Sequence, residues 1–338
     1  MDMNVAEAVA FSESQVEPIP MRYRDQTQGF PKGWYCVAES KDIVEGVLKP
    51  VTYLEQQLVI YRDANGEVHA ADAYCPHLGA HLASHDGGIT AGELVCPFHK
   101  WRFDGATGKC SSIPYTNVVP PQAKLTLYPT LETAGMVLMW YHPEGAAPEF
   151  PPYDFDEYNS AEQPWVFYTE YNRISRAPFR DIMENLFDTA HIQQLHNSAS
   201  LPDVESLKRT DYGLRSTLAK PENPEEFPVN FMQFNFSALS IIHHIVLGEG
   251  FGFQQIATLT PIDHESFQLR SRMFVRDTGS TEMNEMLGGA FASRVISEIS
   301  QDAKVLNFKK HLKQPLLCAG DGPIMKFRAY AKEILGEA

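Results

Sequence analysis

Two short runs hold residues that could bind metal. Tyr74-Cys75-Pro76-His77-Leu78-Gly79 offers one thiolate and one imidazole, and Val95-Cys96-Pro97-Phe98-His99-Lys100-Trp101 offers another of each. The pattern is C-x-H, then 18 residues, then C-x-x-H. Both pairs follow β-rich stretches, so each falls on a loop tip carried by a sheet. Structural zinc also takes two Cys and two His, usually in pairs two to four residues apart. The single residue between Cys75 and His77 is tight for two ligands on one ion. It suits a binuclear centre better, a [2Fe–2S] cluster with two Cys on one iron and two His on the other.

A second set lies in Asn185-Leu186-Phe187-Asp188-Thr189-Ala190-His191-Ile192-Gln193-Gln194-Leu195-His196, within a predicted helix over residues 177–196. Asp188 and His191 are three apart and share a helical face. His191 and His196 are five apart, about 140° round a regular helix. They cannot both reach one ion unless the helix loosens between them, as helices do at functional sites. A single His here would read as a packed or capping residue. Two imidazoles with a carboxylate instead suit the facial triad of non-haem Fe(II), which leaves positions open for O2 and substrate.

The flanks of the first set, Cys-Pro-His-Leu-Gly from Cys75 and Cys-Pro-Phe-His-Lys-Trp-Arg-Phe-Asp-Gly-Ala-Thr-Gly-Lys-Cys from Cys96 to Cys110, resemble the cluster loops of Rieske proteins. The extra Cys pair of respiratory Rieske proteins is absent; Ala80 and Phe98 stand near those places. That fits the low-potential oxygenase type. The motif N-x-x-D-x-x-H-x-x-x-x-H resembles that of Rieske non-haem iron oxygenases. The resemblance implies a cluster on Cys75, His77, Cys96 and His99, and one mononuclear Fe(II) on His191, His196 and Asp302. Asp302 stands in Ser300-Gln301-Asp302-Ala303-Lys304-Val305, the place of the family's late-helix Asp. Asp188 would bridge His99 of a neighbouring subunit to an iron-bound His, and Asn185 shares its motif at the catalytic site. The resemblance spans residues 30–338 and is closest to the 3-ketosteroid 9α-hydroxylase oxygenases. Gly33-Trp34-Tyr35-Cys36, Gln301-Asp302, Lys313-x-Pro315-Leu316-Leu317 and Asp321-Gly322 carry that likeness.

The elements that position these sets divide the chain in two. Residues 1–28 read as a loose arm, 29–147 as an all-β Rieske domain, and 148–338 as an α+β catalytic domain. The β-rich runs 51–61 and 67–73 flank Asn65-Gly66, a hairpin signal, and runs 124–129 and 136–141 read as a closing pair. Residues 144–164 are rich in Pro, acids and aromatics and read as a linker. Runs 231–237 and 267–275 alternate apolar and polar residues, as half-buried antiparallel strands do. Residues 284–312 and 323–335 read as helices. The family implies a helix-grip architecture with a cavity between sheet and long helix.

The formal charge of −15 argues against nucleic acid as a partner. No apolar run reaches the length of a membrane span. Five cysteines are too few for a disulfide scaffold, and no signal-like segment opens the sequence, so a cytoplasmic protein is expected. Cys36, Cys110 and Cys318 read as thiols without a required role. The glycine-rich Gly248–Phe253 run lacks a dinucleotide register and reads as a bend or bulge. Electrons should therefore come from a separate NAD(P)H-dependent reductase, directly or through a ferredoxin. The family implies a head-to-tail homotrimer. The expected activity is hydroxylation of a hydrophobic polycyclic molecule, with a steroid first. Met183, Phe187, Met232, Phe234, Phe236 and Ile242 are candidate substrate walls, with core packing the equal alternative. His243 and His244 read as strand histidines facing solvent, with a hydrogen bond from one of them to a substrate oxygen as the alternative. Lys100 and Arg102 could meet an acidic donor or form interface pairs. The alternatives are an O- or N-demethylase, an aromatic-ring hydroxylase, a Rieske electron carrier without oxygenase activity, and a hydrophobic-ligand binder.

Overall fold

The computed structural model describes residues 29–177, 179–197, 204–219 and 229–335. The arm expected over residues 1–28 lies outside them. The first half is built from β1 (Gly33–Glu39), β2 (Lys49–Tyr53), β3 (Gln56–Arg62) and β4 (Val68–Asp72), then the short β5 (Gly88–Thr90), β6 (Glu93–Val95), β7 (Arg102–Asp104) and β8 (Cys110–Ser112). It closes with β9 (Leu127–Tyr128), β10 (Thr130–Thr133) and β11 (Met136–Tyr141). Three antiparallel sheets result, in the orders β1-β11-β10, β2-β3-β4-β9 and β5-β6-β7-β8.

The Asn65-Gly66 hairpin joins β3 to β4, with Gly66 at φ +82°. The run 51–61 is not one strand. It turns at Leu54 and Glu55, whose φ values of 55° and 57° match the twist of a tight hairpin. The expected pairing of 124–129 with 136–141 is also shifted. β10 pairs with β11 around Ala134-Gly135, while β9 crosses to β4. Pro129 separates the two pieces and has no N–H for a ladder, so the chain changes sheets there.

The second half contains β12 (Trp165–Ser175), α1 (Phe179–Asn185), α2 (Thr189–Gln194), β13 (Val204–Thr210), β14 (Gly213–Leu218), β15 (Val229–Ser237), β16 (Ile241–Gly248), β17 (Phe251–Pro261) and β18 (Phe267–Arg276). The long α3 (Thr281–Leu306) and α4 (Ile324–Leu335) follow. One seven-stranded antiparallel sheet runs β12-β18-β17-β16-β15-β14-β13. α3 lies over one face, packing Phe291, Ala292 and Val295 on Met273 and Phe253. Antiparallel strands with helices around them make the α+β class. Among the described residues no helix is long and apolar enough to cross a membrane.

Three expectations change here. The helix predicted over 284–312 starts at Thr281, where Ser280 accepts from the Met283 N–H, and it stops at Leu306. Beyond it, Lys309 and His311 are drawn into pairs with Asp181 and Glu184. The helix predicted over 177–196 is two helices, because Asp188 leaves the helical conformation and caps α2 through the Ala190 N–H. The Gly248–Phe253 run is a hairpin turn pairing Gly248 with Phe251, with Gly250 at φ +76°.

The alternating strands hide both faces. Gln233, Asn235 and Ser237 are buried rather than solvated. Segment 150–158 covers them: Gln233 donates to the Tyr158 hydroxyl at 2.8 Å, and Gln254 donates to the Phe155 carbonyl at 3.1 Å. His243 does not face solvent either. It is fully buried against the rings of Tyr153 and Phe155. His244 packs on the opposite face, stacked on Phe234.

The two halves are locked together by polar contacts on β1. Ser240 donates to the Trp34 carbonyl at 2.7 Å, and Thr260 donates to the Cys36 carbonyl at 2.8 Å. Glu39 on β1 is buried against Arg272 and Arg270 of β18. Arg272 lies so close to Gly135 that a Cβ there would sit 2.7 Å from it. Glycine also suits the φ of +75° at that turn.

Candidate metal centres

The two Cys-His loops are copies of one backbone device. The Cys75 N–H donates to the Ala80 carbonyl and the Cys96 N–H to the Trp101 carbonyl, both at 2.9 Å. In return, the Gly79 N–H reaches Cys75 O at 2.9 Å and the Lys100 N–H reaches Cys96 O at 3.1 Å. Gly79 and Lys100, four residues after each Cys, both adopt positive φ. The loops thus tighten onto their cysteines and present their histidines at the tips.

Cys75 and Cys96 are buried side by side. Burial, with Cys96 close by, pushes the Cys75 thiol up to about 12. Loading a metal there must displace that proton. The imidazoles of His77 and His99 face each other with ring centroids 4.7 Å apart, and His77 stacks on Trp101 at 4.5 Å. Trp101 is held by its N–H to the Tyr115 hydroxyl at 2.8 Å. His99 Nδ1 is shielded from water and has no hydrogen-bond partner. Thiols paired on one side and imidazoles on the other, with an orphaned ring nitrogen, fit a [2Fe–2S] cluster. Leu78, Phe98 and Tyr115 form an exposed apolar collar around the tips. Lys100 and Arg102 are paired within the chain, with Asp86 and Glu93.

The second set converges from distant elements. His191 comes from α2, His196 from just past its end, and Asp302 from α3. One ligand atom from each lies within 4.8 Å of the others. Asp302 Oδ1 stands 3.2 Å from His196 Nε2 and 3.9 Å from His191 Nε2, yet it is buried and accepts no hydrogen bond. Burial raises the Asp302 carboxyl, and the two imidazoles pull it back down. An orphaned carboxylate oxygen facing two ring nitrogens fits a divalent cation.

Both histidines are oriented by the nitrogen that faces away. His191 Nδ1 meets the Asp188 backbone carbonyl at 2.5 Å, and His196 Nδ1 meets Gln301 Oε1 at 3.1 Å. Both acceptors take the Nδ1 proton, which leaves the Nε2 lone pairs for the metal. Asn185 donates to His191 Nε2 at 3.1 Å. The 140° problem is solved by the helix ending at Gln194: His196 lies beyond it, its N–H reaching back to His191 O at 3.4 Å. Gln301 was named in the sequence only as part of a likeness, and its contact with His196 spans 105 residues.

α1, which carries Asn185, is anchored by a second acid-rich group. Asp181 pairs with His311 at 2.6 Å, and Glu184 pairs with Arg328 at 2.6 Å and Lys309 at 3.2 Å. Burial raises the Asp181 carboxyl, but His311 and Lys309 outweigh it and hold it low. Lys309 and Arg328 supply charge and His311 a hydrogen bond to these acids, so the group is a self-contained structural knot.

Of the candidate walls, Met183, Phe187 and Phe236 are fully buried. Phe187 stacks between Phe236 at 4.8 Å and Phe327 at 4.7 Å, which is core packing. Ile242 is 6% exposed, while Met232 and Phe234 are half-buried on the same face.

Residues 33–128 match the model of the Rieske [2Fe-2S] domain. Residues 139–211 and 240–333 match the 3-Ketosteroid 9alpha-hydroxylase C-terminal domain. A 3-ketosteroid-9-alpha-monooxygenase oxygenase component of Rhodococcus rhodochrous is 30% identical, over 90% of this chain and 82% of its own. A cholesterol 7-desaturase of Caenorhabditis elegans is 28% identical, over 97% and 82%. Among solved structures, Pseudomonas putida CBB5 NdmB is similar in fold at TM-score 0.70, with 22% identity over 94% of each chain.

Proposed function

This chain belongs to the Rieske non-haem iron oxygenases of the 3-ketosteroid 9α-hydroxylase group, and we propose that its substrate is a steroid or a steroid-like polycycle. It is a monooxygenase with one [2Fe–2S] cluster and one mononuclear iron per chain. When bound, these groups supply single electrons and activate O2. Cys75, His77, Cys96 and His99 hold the cluster in this reading, and His191, His196 and Asp302 hold the iron. The observation that carries it is the convergence of those last three residues, with Asp302 Oδ1 left unpaired between two imidazoles.

The chain's own residues set the geometry. Asp188 O and Gln301 Oε1 fix the ring tautomers, and Asn185 steadies His191 Nε2 before metal arrives. The Asp188 carboxylate bridges His191 to His99 of a second copy in a head-to-tail homotrimer. The apolar collar of Leu78, Phe98 and Tyr115, exposed at the His77–His99 tips, supports a packed neighbour there. Electrons come from an NAD(P)H-dependent reductase, directly or through a ferredoxin. Unpaired thiols at Cys36, Cys110 and Cys318 support a cytoplasmic setting. Division into a Rieske domain over 29–147 and a catalytic domain over 148–338 is supported by the separate sheets. Met232, Phe234 and Ile242 line the substrate side, with Met183, Phe187 and Phe236 packed behind.

Product analysis on a panel of 3-ketosteroids, sterols and methoxylated aromatic acids, with a surrogate reductase, tests the reading. Hydroxylated steroid is expected; a desaturated sterol would move the chemistry toward the nematode relative. Turnover of the aromatic acids alone would overturn the steroid assignment. Iron analysis tests the enzyme class. About three Fe per chain is expected, falling to about two in His191→Ala with the cluster absorption kept. Two in the parent chain would make it an electron carrier.

A further inference from the structure

The sheet face under α3 is apolar along β15 to β18, with Phe234, Ile242, Leu259 and Met273 among its members. His244 and Gln255 interrupt it side by side, and Ser271 stands on the same face of β18, two residues from Met273, the partner of Gln255. Phe234 pairs with His244 across β15 and β16, and His244 pairs with Gln255 across β16 and β17. Gln255 then donates from Nε2 to the Ser271 hydroxyl at 2.9 Å. The His244 ring stacks on Phe234 at 4.1 Å and 12°, and its centroid is 6.4 Å from that of Phe291 on α3.

His244 Nε2 is shielded from water and has no hydrogen-bond partner. A polar atom in apolar surroundings is costly unless something pairs with it. Burial holds the imidazole down at about 3, against the pull of the Gln255 amide, so the ring is neutral. A neutral imidazole, an amide and a hydroxyl suit a hydroxyl or carbonyl oxygen. They offer no counter-charge for a carboxylate.

The position along α3 adds a length. Phe291 and Asp302 are 11 residues apart on one helix, about three turns and roughly 16 Å, so they face the same side. A molecule touching both ends lies along the helix and is elongated.

The geometry points to His244, backed by Gln255 and Ser271, as the group that grips a neutral oxygen substituent of an otherwise apolar polycyclic substrate. That grip sets which carbon reaches His191, His196 and Asp302. The inference rests on the oxygenase reading above, and its test separates the two.

Calorimetric binding to the resting holoenzyme, without turnover, is measured for two pairs: a 3-ketosteroid with its 3-deoxy analogue, and phenanthrol with phenanthrene. The parent chain is expected to bind the oxygenated member of a pair about tenfold tighter or more. His244→Phe keeps the stack on Phe234 and is expected to erase that preference, leaving the deoxygenated member within about twofold. His244→Gln is expected to restore part of it. A preference that survives His244→Phe, or an equal loss for both members, overturns the anchor. So does a parent chain with no preference in either pair. If His244→Phe does not fold, His244→Gln and Gln255→Leu carry the same comparison, and an undiminished preference in both overturns it. Preference in the phenanthrol pair with no steroid binding leaves the anchor standing and removes the steroid assignment.

Discussion

Gln301 Oε1 accepts the Nδ1 proton of His196 at 3.1 Å, while the next residue, Asp302, faces Nε2 of the same ring at 3.2 Å. Two consecutive residues of α3 thus face the two nitrogens of one imidazole, the arrangement that the proposed iron site requires. Gln301→Leu removes the orienting acceptor and leaves His191, His196 and Asp302, the proposed ligands, in place. The mononuclear site should lose about 10- to 100-fold in iron affinity. Iron content after dialysis against a chelator measures this, and the cluster absorption should not change.

Asp188 does two jobs with different atoms. Its carbonyl orients His191, and its side chain caps α2. Asp188→Asn keeps the carbonyl and a capping oxygen. Both metals should therefore remain, while passage of electrons from cluster to iron fails. In single-turnover mixing with O2 and substrate, the reduced cluster should stay reduced. Normal coupled turnover would remove Asp188 from the electron path.

Glu39 links the two halves of the molecule. Burial raises its carboxyl, and Arg272 and Arg270 pull it back down. Glu39→Ala strands two largely buried guanidinium groups, with Glu170 left to Arg272 at 3.1 Å. Breaking such a pair from one side costs about 3–5 kcal/mol. A clear drop in the urea midpoint is expected, and a change within about 0.5 kcal/mol would show that Glu170 suffices.

Acid should destabilise the sheet through its histidines. Burial lowers His243 well below the usual imidazole range and brings His244 to about 3. Below about pH 6.5 the unfolded chain binds protons that the folded rings refuse, so stability is full above that pH and falls toward pH 3. His243→Phe keeps a ring against Tyr153 and Phe155 and should flatten the slope by up to about one proton. Urea midpoints between pH 5 and 7 measure the slope; an unchanged slope would mean that His243 is protonated in the folded state.

Local features were legible where the chemistry is local. Cys75 and His77, or Cys96 and His99, share one loop, so their spacing alone marks them as a set that could hold a cluster. The Asn65-Gly66 turn is local in the same way, whereas the helix read over 177–196 breaks at Asp188, earlier than the loosening expected between His191 and His196. Alternation along 231–237 showed two faces correctly, but no pattern within a strand says what covers the second face. Segment 150–158 does so, and it buries Gln233, Asn235 and His243.

The sequence by itself determined the family, the two metal-binding motifs and the α+β class, because these rest on residue types at short spacing and on strand and helix periods. The tertiary structure alone decided the rest. It brought Asp302 to His191 and His196, set Gln301 behind His196, locked β1 to β18 through Glu39, and turned His243 and His244 inward to opposite faces of one strand. Each is a contact between side chains far apart along the chain, where chain order carries no distance information until the sheet and α3 are packed.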